Sequence, residues 1–266
     1  MAFVLSALGD EAAGPIEEQC AALRALGLSH IEVRQSSGRS LVDSPLEVAQ
    51  QTARTIAASG LVVTAYASPL GKVPIDADLA QHRRRFLQGL EVTRILGTDA
   101  MRIFTFHMPR GTWDTHRQTV LSEFAWFAAQ AEQAGVRLLV ENEKGIYADV
   151  PERCLDLVHT LDSPQVCLLF DPANFLQCGA QPYPDAWDLL APHVAYVHIK
   201  DAIRATGRVT PAGEGDGRLP ELLESLHARG YTGILSLEPH LEGPDRMARA
   251  VNALRRVLMA QGLEAD

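Results

Sequence analysis

Glu141, Asp171, His198 and Glu238 are residue types that bind a hard or borderline divalent cation, and each stands at or near the end of a short, mostly apolar run. VRLLVE ends at Glu141, VCLLFD at Asp171, VAYVHIKD contains His198, and ILSLEPH reaches Glu238. A single charged residue in such a place more often caps the following helix or pairs with a nearby base. Four in succession are different, because three gathered carboxylates repel one another and raise each other's pKa unless a cation neutralises them. The set suits one divalent ion, Mn²⁺ being expected and Mg²⁺, Co²⁺ or Zn²⁺ being alternatives, with room left for substrate oxygens.

The elements that position these residues read as eight strands alternating with helices. The runs are 3–7, 30–34, 61–66, 100–104, 136–141, 166–171, 194–199 and 234–238. Most are apolar until their last residues, as expected of parallel strands buried on both faces that open into a site at their C-terminal ends. Helix start and stop signals lie between them: Ser44-Pro45 and Glu47 before VAQQTARTIAAS with Gly60 after it, Asp149 and Pro151 before ERCLDLVHTL, and Gly230 after PELLESLHAR. Eight β-α units without a large insertion favour a single closed (β/α)8 TIM barrel over residues 1–266, rather than an open doubly wound sheet. No G-x-G-x-x-G follows the first strand, which removes the commonest reason to expect a dinucleotide fold. In a barrel, neighbouring strands lie about 4.8 Å apart, so four adjacent strand ends can surround one ion.

The segments VENEKG, LLFDPANF, YVHIKDA, the GEGDG loop and LSLEPHL resemble the sugar phosphate isomerase/epimerase family with the xylose isomerase-like TIM barrel. The resemblance spans nearly the whole chain and is most specific after residue 136. It implies that Glu141, Asp171, His198 and Glu238 hold the metal and that Glu141 and Glu238 also move a substrate proton. Several family members carry D-x-x-H after the sixth strand, where the histidine contacts substrate; here the run is DPAN, so Asn174 stands at that position. Asn174 either binds a sugar hydroxyl or stabilises the turn after Pro172.

The chemistry expected is removal of a proton next to a carbonyl, through an enediolate, by two glutamates on opposite sides of the carbon. Return to the opposite face epimerises a small sugar, keto-sugar or polyol; return to the adjacent carbon isomerises it. A dehydratase of a keto-inositol-like ring, which shares the first step, is the alternative, followed by a non-catalytic sugar-binding barrel. An abasic-site nuclease of the same architecture is disfavoured, because the third strand ends in TAYAS, without a histidine cluster. Lys144, Lys200 and His240 are further candidates for substrate contact. Glu32 and Arg34 are expected to form a salt bridge in the barrel mouth, His107 could line the site, and Tyr66, Phe104 and Phe106 are pocket walls or core. The loop TPAGEGDGR at 210–218 lies where many barrels bind phosphate. Its Glu214 and Asp216 instead suggest hydrogen bonds to the hydroxyls of an unphosphorylated substrate, or a glycine-rich lid with its acids in water.

Bulk properties narrow the partners. A formal net charge of −9 and the lack of a basic track argue against nucleic acid. No apolar stretch is long enough to span a bilayer, and the first residues have no basic segment before their apolar run, so a cytoplasmic protein is expected. The four cysteines form no C-x-x-C pair and are expected to be reduced thiols. A homo-oligomer paired through outer helices is compatible with such a barrel, although no apolar stripe specifies an interface.

Overall fold

The computed structural model describes residues 2–265. Eight strands form one parallel sheet in chain order: β1 (Val4–Ala7), β2 (His30–Val33), β3 (Val62–Tyr66), β4 (Ala100–Ile103), β5 (Arg137–Glu141), β6 (Val166–Phe170), β7 (Val194–Ile199) and β8 (Ile234–Leu237). β8 returns to pair with β1 from Val4↔Ile234 to Ala7↔Leu237, and a single bridge between Leu8 and Glu32 spans the seam between β1 and β2. The sheet is therefore a nearly closed barrel. All eight runs read from the sequence are strands: four lose their last residue, which turns out of the ladder to begin a loop, three lose their first, and the run 194–199 is unchanged.

The outer layer consists of helices with an apolar stripe facing the strands. α1 (Ile16–Ala25), α2 (Leu46–Ala58), α3 (Leu79–Ile95) and α4 (Trp113–Ala134) cover the first half. α5 (Pro151–Leu161), the short α6 (Pro172–Gln177) and α7 (Trp187–Leu190), α8 (Leu219–Ala228) and α9 (Arg246–Ala260) cover the second. In α9, Met247, Ala250, Val251, Leu254 and Leu258 are buried, a spacing that lines one face of a 3.6-residue helix. Pro151 opens α5 at a position where its missing N–H costs nothing, and Gly135 ends α4 with φ 68°. Phe86, Phe124 and Phe127 pack with Phe106 between α3, α4 and the barrel, so Phe106 completes the core. Tyr66 does likewise: its hydroxyl accepts from the Val42 N–H at 2.9 Å. Among the described residues, no helix is long and apolar enough to cross a membrane.

The barrel interior beneath the strand ends is polar. Ser6, Thr64 and Tyr196 form a hydrogen-bonded chain, and the Tyr196 hydroxyl donates to Glu32 at 3.1 Å. Ser236, paired in register with His198, donates to the same Glu32 carboxylate at 2.6 Å. A fully buried carboxylate is tolerable only with such donors around it.

Candidate active site

Each of the four residues singled out first is held by its strand end. Glu141 is the last residue of β5; Asp171 follows β6; His198 lies near the end of β7; Glu238 follows β8. Asn142 ties β5 to β6, donating to the Asp171 carbonyl and accepting from the Asp171 N–H, both at 2.9 Å. Asp171 is also the N-cap of α6: its Oδ1 accepts from the Asn174 N–H at 2.9 Å, with Pro172 in the first helical position. One oxygen is thereby spent on the helix, and the other, Oδ2, faces the barrel mouth.

All four side chains are buried, and one ligand atom from each lies within 4.8 Å of the others. His198 Nδ1 is 3.5 Å from Glu141 Oε1, 3.3 Å from Glu238 Oε2 and 4.0 Å from Asp171 Oδ2. Donors around one ion at bond lengths of about 2.1 Å have comparable separations. His198 Nδ1, Glu141 Oε2 and Asp171 Oδ2 have no directed hydrogen bond despite their burial. On its other side, His198 Nε2 meets Glu32 at 3.1 Å, the carboxylate–histidine arrangement that orients an imidazole for metal binding. The cluster can therefore hold a cation.

The buried charges perturb one another strongly. Burial pushes the Asp171 carboxyl up to about 6, and the Glu141 and Glu238 charges add to the rise against the opposing pull of Lys200. Burial also opposes ionisation of Glu238, but Lys200, His198 and Arg102 outweigh it and hold its pKa well below the usual range. Burial would neutralise His198, yet Glu32, Glu238 and Glu141 keep its pKa well above that of a free imidazole.

Lys200 belongs to this cluster and Lys144 does not. The Lys200 ammonium is buried 2.7 Å from Asp171 Oδ2 and 2.9 Å from Glu238 Oε2, whereas the exposed Lys144 donates to Gln177. Asn174 uses its amide to hold Glu141, donating to Oε1 at 3.2 Å and to the Asn142 carbonyl at 2.9 Å. His240 sits at the rim with φ 43°, its Nδ1 2.6 Å from Glu11 and its Nε2 3.6 Å from Glu238. The expected Glu32–Arg34 salt bridge is not formed. The two residues occupy successive interior layers, about 6.6 Å apart along the strand, and Arg34 instead reaches Asp10, Glu11 and Glu238. His107 is half-buried and bonds the Gly145 carbonyl rather than the cluster.

Arg102 went unrecognised in the sequence. From the middle of β4 its Nη1 lies 3.1 Å from Glu141 Oε2 and 3.4 Å from Glu238 Oε1, while Nη2 and Nε donate to the carbonyls of Ala67 and Ser68. The only signal was a charge inside the apolar run AMRIF.

In the 210–218 loop the backbone N–H groups turn inward to a side chain of the protein itself. The N–H groups of Gly213, Gly215 and Gly217 converge with that of Ala202 on the buried carboxylate of Asp201, at 2.9–3.0 Å. A Cβ at Gly215 would lie 2.3 Å from Asp201 Oδ1, so glycine is required for the approach. Glu214 faces Arg256, and Asp216 accepts from the Arg204 N–H.

Among curated proteins, the chain is 27% identical over 112 residues to an uncharacterized protein of Methanocaldococcus jannaschii, spanning 41% of this chain and only 38% of that relative. Among solved structures, a xylose isomerase-like TIM barrel/4-hydroxyphenylpyruvate dioxygenase fusion protein superposes with TM-score 0.77 at 18% identity, over 100% of this chain and 45% of that one. A D-allulose 3-epimerase from Methylomonas sp., solved with D-allulose, gives 0.78 at 13% identity over 97% of each chain. A xylose isomerase-like TIM barrel protein from Mycobacterium smegmatis, solved with magnesium, gives 0.74 at 14% identity over 98% of this chain and 96% of that one. These likenesses describe the fold. The model of the xylose isomerase-like TIM barrel matches residues 20–257, and the chain belongs to that family.

Proposed function

We propose that this protein, acting as one barrel domain, is a divalent-metal-dependent isomerase or epimerase of a small sugar, keto-sugar or related polyol. The observation that carries the reading is the pair of buried glutamates, Glu141 and Glu238, placed on either side of Arg102 Nη1 and converging with Asp171 and His198 on one point. Bound there by Glu141, Asp171, His198 and Glu238, Mn²⁺ or Mg²⁺ would act as a Lewis acid that stabilises negative charge on a substrate oxygen.

The chain supplies the rest. Glu141 and Glu238 come from strands β5 and β8, separated in the barrel by β6 and β7, and so approach a substrate carbon from different sides. One carboxylate removes the proton next to the carbonyl and the other returns a proton, a division of labour that fits both epimerisation and isomerisation. Asn174 fixes the orientation of Glu141, and Arg34 with Arg102 fixes that of Glu238. His240 at the rim is the group placed to meet the outer part of a substrate. An unphosphorylated substrate is favoured because the glycine-rich loop already surrounds the Asp201 carboxylate. The solved D-allulose 3-epimerase and the magnesium complex of the same fold support the sugar and metal parts of the reading.

The test is proton NMR in D₂O with metal-loaded protein and a panel of ketoses, 3-keto-glycosides and keto-inositols. Deuterium entering beside the carbonyl, abolished in Glu141→Gln and Glu238→Gln and after chelation, is the expected result. An unsaturated product would reassign the protein as a dehydratase. Tight sugar binding without exchange of any carbon-bound proton would make it a binding protein.

A further inference from the structure

The two buried cations of the site touch different oxygens. Arg102 Nη1 lies against Glu141 Oε2 and Glu238 Oε1. Lys200 Nζ lies against Asp171 Oδ2 and Glu238 Oε2, the same oxygens that approach His198 Nδ1. Arg102 thus holds the outer faces of the carboxylates, whereas Lys200 holds two of the oxygens that would bind an ion.

Their anchorage differs as well. The Arg102 guanidinium is fixed by the Ser68 and Ala67 carbonyls and cannot withdraw without leaving them unpaired. The Lys200 ammonium has only the two carboxylates as polar partners among the described contacts, on an unbranched, flexible stem. At 2.7 Å from Asp171 Oδ2 it makes no directed hydrogen bond there, so that contact is one of charge. An ion bonded to the same two oxygens would stand within a few ångströms of a like-charged ammonium in a buried site, where repulsion is poorly screened.

We infer that Lys200 is a tethered counter-cation that neutralises Asp171 and Glu238 in the metal-free protein, competes with the divalent ion for their inner oxygens, and sets the metal affinity. The inference rests on the proposed metal site. It assigns Lys200 a role distinct from substrate contact: removing the side chain should tighten metal binding, the reverse of what loss of a supporting residue does.

The experiment is calorimetric titration of MnCl₂ into the metal-stripped full-length protein, Lys200→Gln and Lys200→Met, with Co²⁺ absorption spectra to compare the ligand sets. The expected result is one Mn²⁺ per chain in each protein, bound at least tenfold more tightly by the variants, with matching Co²⁺ spectra. Metal-free variants should melt at lower temperature than the parent, and the metal-loaded proteins should melt alike. A variant that folds only with metal is measured by chelator competition on the loaded protein, where it should hold Mn²⁺ against at least tenfold more chelator. Equal or weaker binding by both variants, with the parent binding normally, overturns the role of Lys200 alone. A parent protein that binds no divalent ion overturns the metal site itself.

Discussion

The two halves of the barrel contribute different groups to one site. Strands β5 to β8 end in Glu141, Asp171, His198 and Glu238, all donors of electron pairs. Strands β2 and β4 contribute Arg34 and Arg102, which touch the outer carboxylate oxygens, and Glu32, which backs His198 from below. The second half makes the cluster with Lys200 inside it, and the first half surrounds it with arginines, since carboxylates this close need positive charge and hydrogen bonds in place of water. The comparison suggests that substitutions of the second-half glutamates act on chemistry, whereas those of the first-half arginines and Glu32, like those of Lys200, act on stability and metal affinity.

The largest effects test that division directly. Glu141→Gln and Glu238→Gln should each lower the rate of substrate proton exchange by about 10²–10⁴-fold in the folded protein, as loss of a general acid–base group does. A variant that stays within tenfold of the parent rate would remove that glutamate from the mechanism. In the first half, Arg102→Leu leaves buried carboxylates without their partner and should cost about 3–5 kcal/mol in the metal-free protein, read by urea unfolding. Added Mn²⁺ should recover part of that loss. An Arg102→Leu protein as stable as the parent would show that Arg102 is not the charge partner described here.

The first half also carries an acid-sensitive joint. The Gly71 N–H donates to His82 Nε2 at 2.9 Å in a turn where Gly71 has φ +84° and no space for a Cβ against the Phe104 carbonyl. Burial, followed by the charge of Arg85 and opposed by Glu123, lowers the His82 pKa to about 4. Above pH 6.5 neither the folded nor the unfolded chain protonates this group. Between 6.5 and 4 only the unfolded chain does, so stability falls with pH, by about 3 kcal/mol when the folded pKa is reached. Urea midpoints should fall over this window, and His82→Gln should flatten the fall; an identical pH profile in the variant would assign the acid sensitivity elsewhere.

Smaller effects sharpen the comparison. Glu32→Gln should weaken Mn²⁺ binding by about 10–100-fold, the range for a group behind a metal-binding histidine, and calorimetry checks it. Lys144→Ala, at an exposed position, should change stability by less than about 0.5 kcal/mol and leave the exchange rate unaltered. A large loss of rate in Lys144→Ala would bring Lys144 back to the substrate.

The strands and their polar ends were legible because a parallel strand buried on both faces is an apolar run, and a carboxylate ending such a run is conspicuous. The two lysines could not be separated by residue type, but spacing distinguishes them. Lys200 lies two residues beyond His198 and stays on the inward face, whereas Lys144 lies three beyond Glu141 and falls out of phase. Glu32 and Arg34 also follow the period of two, which places both inside, yet it leaves the partner undetermined: pairing across a barrel depends on layers contributed by distant strands. Arg102 was obscure for the same reason, since its carboxylates come from β5 and from the turn after β8. The GEGDG loop showed the means to bind an anion but could not show that Asp201, adjacent in sequence to Lys200, is the anion it binds.

That loop is a receptor occupied by its own ligand. A carboxylate carried on the same backbone competes with dissolved anions at an effective concentration set by its tether, whatever the surroundings contain. Inorganic phosphate therefore has to displace a permanent resident to reach those four N–H groups. Those four N–H groups are thereby committed within the fold, and dissolved phosphate meets them only in competition with a tethered carboxylate.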